Sequence, residues 1–168
     1  VNWHTAVADA VVAAHNASSG STVLVSVDLG DPDVNQGMAL LSVGDGDTQP
    51  TTIGGRSCRR NVDPDDDRHF YFGLDQALNG TRTELFVTMD YYDAGSGALV
   101  LQYDSMDSAP FPNDIYKNGG QVGLSGSDTW KSHTFHIVDA RFAHRQNGGA
   151  DFRVLHAQPG VFYLDVVT

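Results

Sequence analysis

From Thr22 onward the apolar residues recur with a period of two, and a chain patterned this way buries itself by pairing strands into sheets with one face turned inward. In TVLVSVDL, Val23, Val25 and Val27 share one face while Leu24, Ser26 and Asp28 share the other. HFYFGLD turns Phe70, Phe72 and Leu74 inward and His69, Tyr71 and Asp75 outward. ELFVTMDYYD turns Leu85, Val87, Met89 and Tyr91 inward. Ala94 to Gly97 then reads as a turn, and in ALVLQYDS the residues Leu99, Leu101 and Tyr103 alternate with Val100, Gln102 and Asp104, so these two runs are expected to pair as a hairpin. QVGLSG, WKSHTFHIVDARF, ADFRVLHA and VFYLDVVT continue the series between Gly, Asn, Asp and Pro clusters. The predicted fold is therefore all-β, an antiparallel β-sandwich of jelly-roll type over residues 21–168. Strands do not alternate with helices and no repeat of solenoid or propeller type is visible, which disfavours parallel α/β architectures.

The first stretch has a different period. VNWHTAVADAVVAAH sets Trp3, Val7, Ala10, Val11 and Ala14 at helical spacing, and Asn16 to Ser21 reads as a polar exit. Residues 1–20 are expected to form a short N-terminal helix and linker, either packed on the sandwich or belonging to the tail of an upstream domain.

Charge narrows the partners. The chain carries 10 Lys plus Arg against 21 Asp plus Glu, a net charge of −11, and so acidic a surface repels phosphate backbones: nucleic acid is not an expected partner. No apolar run approaches the roughly eighteen residues a membrane helix needs, so no membrane association is expected either. The acid is almost all Asp, which favours turns and hard-oxygen ligation. Cys58 is the sole cysteine, which excludes an intrachain disulfide, and it reads as a small buried hydrophobe. The chain is read as the mature or excised form of a longer product.

If the apolar residues of the expected hairpin fill the core, its other face presents Thr88, Asp90 and Tyr92 beside Val100, Gln102 and Asp104. An aromatic ring covers the C–H face of a pyranose, while carboxylate and amide groups bond vicinal hydroxyls. Asp90, Tyr92, Gln102 and Asp104 are accordingly candidate carbohydrate-binding residues; a plain solvated sheet face is the alternative. The loops GDPD, GDGD and DPDDD suggest a structural calcium, with Asp28, Asp31, Asp33 and Asp165 as candidate ligands, although no EF-hand spacing is present.

Catalytic signals are sparse. His133 and His136 lie three apart in a strand and point to opposite faces, and H-E-x-x-H, G-x-S-x-G and P-loop motifs are absent. RTEL (Arg82 to Leu85) and YKNGGQ (Tyr116 to Gln121) resemble pieces of jelly-roll alginate lyases, but the Gln-x-His element of those enzymes is missing. Trp130, at a strand start after a turn, reads as a core cap.

The segments IGGRSCRRN, YFGLDQALNGTRTELFVTMDYYDAGSGALVLQYDS and WKSHTFHIVDARFAHRQNGGADFRV together resemble a jelly-roll accessory domain found beside catalytic domains in bacterial polysaccharide-degrading enzymes. The pattern covers most of Thr51 to Val154, and DARFAHRQNGGADFR is its most distinctive piece. Such domains are similar to calcium-stabilised carbohydrate-binding modules. The resemblance implies secretion, a non-catalytic role, a polysaccharide ligand, an upstream catalytic domain as partner and a structural calcium. Within that piece, Arg145 and Asn147 join the candidate carbohydrate ligands, an arginine fork being suited to a uronate or to vicinal hydroxyls, while an ion pair that merely locks the loop is the competing reading. The expected function is a carbohydrate-binding module that does no chemistry; the alternatives are a jelly-roll polysaccharide lyase and a structural spacer.

Overall fold

The computed structural model describes residues 24–168, and the helix expected over residues 1–20 lies outside them. The described residues form twelve strands: β1 (Ser26–Asp28), β2 (Val34–Gln36), β3 (Met38–Leu41), β4 (Thr48–Ile53), β5 (Arg56–Asn61), β6 (His69–Leu74), β7 (Leu85–Tyr92), β8 (Gly97–Tyr103), β9 (Lys117–Leu124), β10 (Trp130–Ile137), β11 (Phe152–His156) and β12 (Tyr163–Val167). They build two antiparallel sheets. One runs β10-β7-β12-β1-β2, with β5 and β4 continuing from β12; the other runs β3-β6-β11-β8-β9. The all-β sandwich expected from the period of two is what the chain forms.

The inner faces meet as the alternation requires. Val87, Met89, Tyr91, Phe135, Leu164 and Val167 come from the seven-stranded sheet, and Phe70, Phe72, Leu99, Leu101, Phe152 and Val154 from the five-stranded one, all buried in one core. Each large side chain sealed there contributes about 1.5–3 kcal/mol. His133 and His136 do point to opposite faces, for Phe135 and Ile137 mark the inward set of β10, which includes His133.

The expected β7–β8 hairpin does not form. β7 pairs with β10 and β12, whereas β8 pairs with β9 and β11 in the other sheet. Alternation says which residues of two runs face inward; it does not distinguish neighbours side by side from neighbours across a core. The local cause is Asp93. Its N–H donates to Thr129 O, and its fully buried carboxylate accepts from Ser125 N, both serine hydroxyls of Ser125 and Ser127, and Lys131 Nζ at 2.6 Å. The end of β7 is thereby fastened to the lead-in of β10, and Ala94 to Gly97 becomes a crossover between sheets.

The two outer faces differ in cover. Tyr71 points outward from the five-stranded sheet, as expected, yet is only 1% exposed because the 42–47 loop lies over it and Asp45 Oδ1 accepts its hydroxyl at 2.9 Å. The loop must come this close: a Cβ at Gly46 would sit 2.7 Å from the Tyr71 ring.

Candidate functional site

The outer face of the seven-stranded sheet gathers three aromatic rings and one guanidinium. In the β7–β10 register Tyr92 opposes Trp130 and Asp90 opposes Ser132. Inward Met89 and Tyr91 force Asp90 and Tyr92 outward. The Tyr92 and Trp130 rings meet edge to face with centroids 5.5 Å apart, and Tyr163, at the start of β12, meets Tyr92 in the same manner at 6.1 Å. All three are partly exposed.

Arg56, the first residue of β5, reaches across this cluster. Its guanidinium carbon lies 4.9 Å from the Trp130 ring centroid, and Nη1 donates to Asp90 Oδ2 at 3.1 Å and Asp165 Oδ2 at 3.2 Å. Asp165 is nearly buried, so an arginine that bonds both carboxylates offsets their mutual repulsion and keeps the Asp90 side chain in one place. Beneath them burial, and then Asp165, push the Cys58 thiol up to about 11, in keeping with a small buried hydrophobe that is not a nucleophile at neutral pH.

A two-residue turn buttresses the rings. Gly54 and Gly55 join β4 to β5 with φ of +55° and +77°, the left-handed region glycine enters at least cost. A Cβ at Gly54 would fall 2.7 Å from Tyr92 Cε2 and 2.8 Å from Trp130 Nε1, and that indole nitrogen donates to Ile53 O. Trp130 is thus held at one edge by the hairpin, with its other surfaces on the sheet's outer face, not in the core as expected.

The face continues along β7 and β10 through the hydroxyl pair Thr88 and Thr134 to Phe86, which stacks on His136 at 4.6 Å. From Tyr92 to Phe86 is about 20 Å of strand, long enough for an extended polymer.

Gln102 and Asp104 lie elsewhere. With β8 in the other sheet, Gln102 is on the opposite outer face, where its Oε1 accepts from Arg153 Nε. Asp104 is fully buried; it accepts from Arg145 Nε at 2.8 Å, from Arg145 Nη2 and from Ala143 N. Arg145 Nη1 bonds Asp114 at 2.7 Å, so this arginine locks its loop against the sheet. Asn147 is exposed on the same side as Gln102, its N–H donating to the Tyr116 hydroxyl. Of the six carbohydrate candidates the structure therefore brings Asp90 and Tyr92 to one face, and Gln102 and Asn147 to the other.

Two of the acidic candidates are engaged by protein. Asp33 accepts from Gly30 N and Arg59 Nε, and Asp165 accepts from Arg56. Among the described residues no group of three or more His, Cys, Asp and Glu side chains is placed to hold a metal ion. The lyase-like pieces are also apart: Glu84 pairs with His136 at the seven-stranded sheet, and Tyr116 stacks on Arg153 at the other.

Arg56, Trp130 and Tyr163 escaped the sequence reading because they come from three strands distant in the chain. The one usable signal was the alternation of WKSHTFHI, which puts Trp130 on the face opposite Phe135.

No protein-family model matches the sequence, and no curated protein does. Solved structures do. The fold is similar to that of a family 29 carbohydrate-binding module from Piromyces equi, with a TM-score of 0.54, 12% identity, and cover of 87% of this chain and 89% of that one. At that identity the likeness is one of fold. A family 28 carbohydrate-binding module specific for non-crystalline cellulose matches at a TM-score of 0.41 and 13% identity, over 89% of this chain and 91% of that one. The K3 cleaved adhesin domain of Lys-gingipain from Porphyromonas gingivalis matches at 0.37 and 10%, over 78% and 98%.

Proposed function

We propose that this domain is a non-catalytic carbohydrate-binding module whose platform is the outer face of the seven-stranded sheet. The observation that carries the reading is the Tyr92, Trp130 and Tyr163 cluster, with Arg56 against the Trp130 ring and bonded to two carboxylates. Rings supply apolar surface for the C–H faces of sugars, and the adjacent guanidinium, carboxylate and hydroxyl groups suit ring hydroxyls. The geometry favours binding over chemistry, since both carboxylates share one arginine and aromatic rings take up the rest of the cluster. The fold likeness to the Piromyces equi module supports the same reading.

In this reading the partner is a polysaccharide outside the cell, and the module serves a catalytic domain in the same polypeptide. A weak site tethered to an enzyme raises the local substrate concentration without new chemistry.

Affinity electrophoresis through gels containing neutral polysaccharides tests it. Retardation on at least one glycan that is lost in Trp130→Ala and Tyr92→Ala, with both variants folded by circular dichroism, is the expected result. Retention of full retardation in the folded variants overturns the site, and no retardation on any glycan leaves the structural spacer as the better reading.

A further inference from the structure

We propose that the outer face of the five-stranded sheet holds a second, chemically distinct site, in which Arg153 receives the carboxylate of an acidic sugar. Arg153 stands in the middle strand of that sheet, in register with Tyr71 on β6 and Gln102 on β8. Its guanidinium is oriented from three sides. Nε donates to Gln102 Oε1 at 2.8 Å, Nη1 donates to the Tyr71 hydroxyl at 2.6 Å, and the Tyr116 ring centroid lies 4.0 Å from Cζ.

None of these partners is charged. Arg56, Arg59 and Arg145 each bond a carboxylate directly, whereas among the described residues Arg153 has no ion pair within 4.0 Å. The acid Asp45 is engaged one hydrogen bond further away, beyond the Tyr71 hydroxyl. A guanidinium offers five N–H donors in a plane; the two bonds above use two, leaving three for a ligand. A partly buried, rigidly held cation with neutral neighbours lacks the one partner that best repays its desolvation, an anion taken by paired N–H donors.

Loop segments flank this arginine. The 42–47 loop rises on one side with Asp45, and it closes on the 147–149 turn, where Val43 packs against Gly148 and Gly44 faces Asn147. Tyr116, whose hydroxyl accepts from Asn147 N, forms the other side. Nearby on β6, burial and then the charge of Arg153 lower the pKa of His69, against the opposing pull of the Asp45 carboxylate 3.0 Å from its ring. A cation flanked in this way suits the carboxylate of a single sugar unit, in contrast with the row of rings and hydroxyls along the other sheet. The uronate-binding arginine expected at Arg145 is thus reassigned to Arg153, because Asp104 and Asp114 occupy Arg145.

Titration of the whole domain with oligogalacturonate, its methyl-esterified form and cello-oligosaccharides tests the proposal by calorimetry and by side-chain NMR. The expected result is binding of the free acid at least about tenfold tighter than its methyl ester, with the Arg153 Nε signal shifting and the Trp130 indole signal still. Arg153→Gln should lose at least that factor for the acid while keeping any affinity for neutral glycans. Equal affinity for acid and ester, an unmoved Arg153 signal or no binding of the acid overturns it. The wild-type NMR readout decides if Arg153→Gln fails to fold. Loss of neutral-glycan binding in Trp130→Ala reports on the opposite face, so the two readings stand or fall separately.

Discussion

Arg145 Nε lies 2.8 Å from Asp104 Oδ1, and the carboxylate it serves is fully buried. Replacing this arginine would strand a buried charge with one backbone donor, Ala143 N, in place of a fork. Arg145→Ala should therefore cost about 3–5 kcal/mol in urea or guanidinium unfolding. Glycan affinity per folded molecule should be unchanged. A variant of wild-type stability that no longer binds would contradict the locking role.

Asp93 makes a parallel case for the crossover. Burial works to raise its carboxyl, and hydrogen bonds from Lys131, Ser125 and Ser127 together overcome this and hold it well below the usual carboxylate range. A depressed carboxyl contributes stability that is fully present above its unfolded value and is lost as pH falls toward the folded one. Asp93→Asn should cost about 3 kcal/mol at pH 7, and the gap to wild type should narrow once the pH drops below about 4. A gap that stays constant from pH 7 to pH 3 would show that charge is not what fastens β7 to β10.

Gly54 tests the buttress. An alanine there meets both a positive φ and ring atoms at 2.7 and 2.8 Å. Gly54→Ala should lower stability by about 1 kcal/mol or more, a fall of roughly 2–4 °C in Tm per kcal/mol for a domain of this size. It should also weaken neutral-glycan binding, whereas Gly55→Ala, with nothing within 4 Å of its Cβ, should cost stability alone. Equal binding in the two variants would separate the turn from the platform.

Phe152 stacks on Phe72 at 5.0 Å and on Phe142 at 5.8 Å, in the layer where the two sheets meet. Phe152→Leu should cost a few kcal/mol by equilibrium unfolding, less than the roughly 3–5 expected of Phe152→Ala. If both variants unfold at wild-type denaturant concentrations, these rings do not form the core.

The sheet-forming period, the inward residues of each run and the all-β class were legible in the chain, since burial of alternate side chains is a local demand that each strand states for itself. Pairing partners were not. The β7 and β8 runs read as a hairpin because a turn signal joins them, and the decision to cross sheets rests on the carboxylate of Asp93 meeting Ser125, Ser127 and Lys131 some thirty residues later. The same limit governed the site. Asp90 and Tyr92 could be read as outward, but Trp130, Tyr163 and Arg56 become their neighbours only through strand order, and Gln102 leaves them for the same reason.

By itself, then, the sequence determined that this chain makes a sandwich of alternating strands with an acidic, Asp-rich surface, because periodicity and charge act over a few residues or over the whole composition. The tertiary structure alone decided which outward residues share a face and which arginine is spent on the fold. Arg56, Arg145 and Arg153 are the same residue type in the chain, and only the placement of carboxylates from distant strands separates the pinned guanidinium, the locked one and the one with donors to spare.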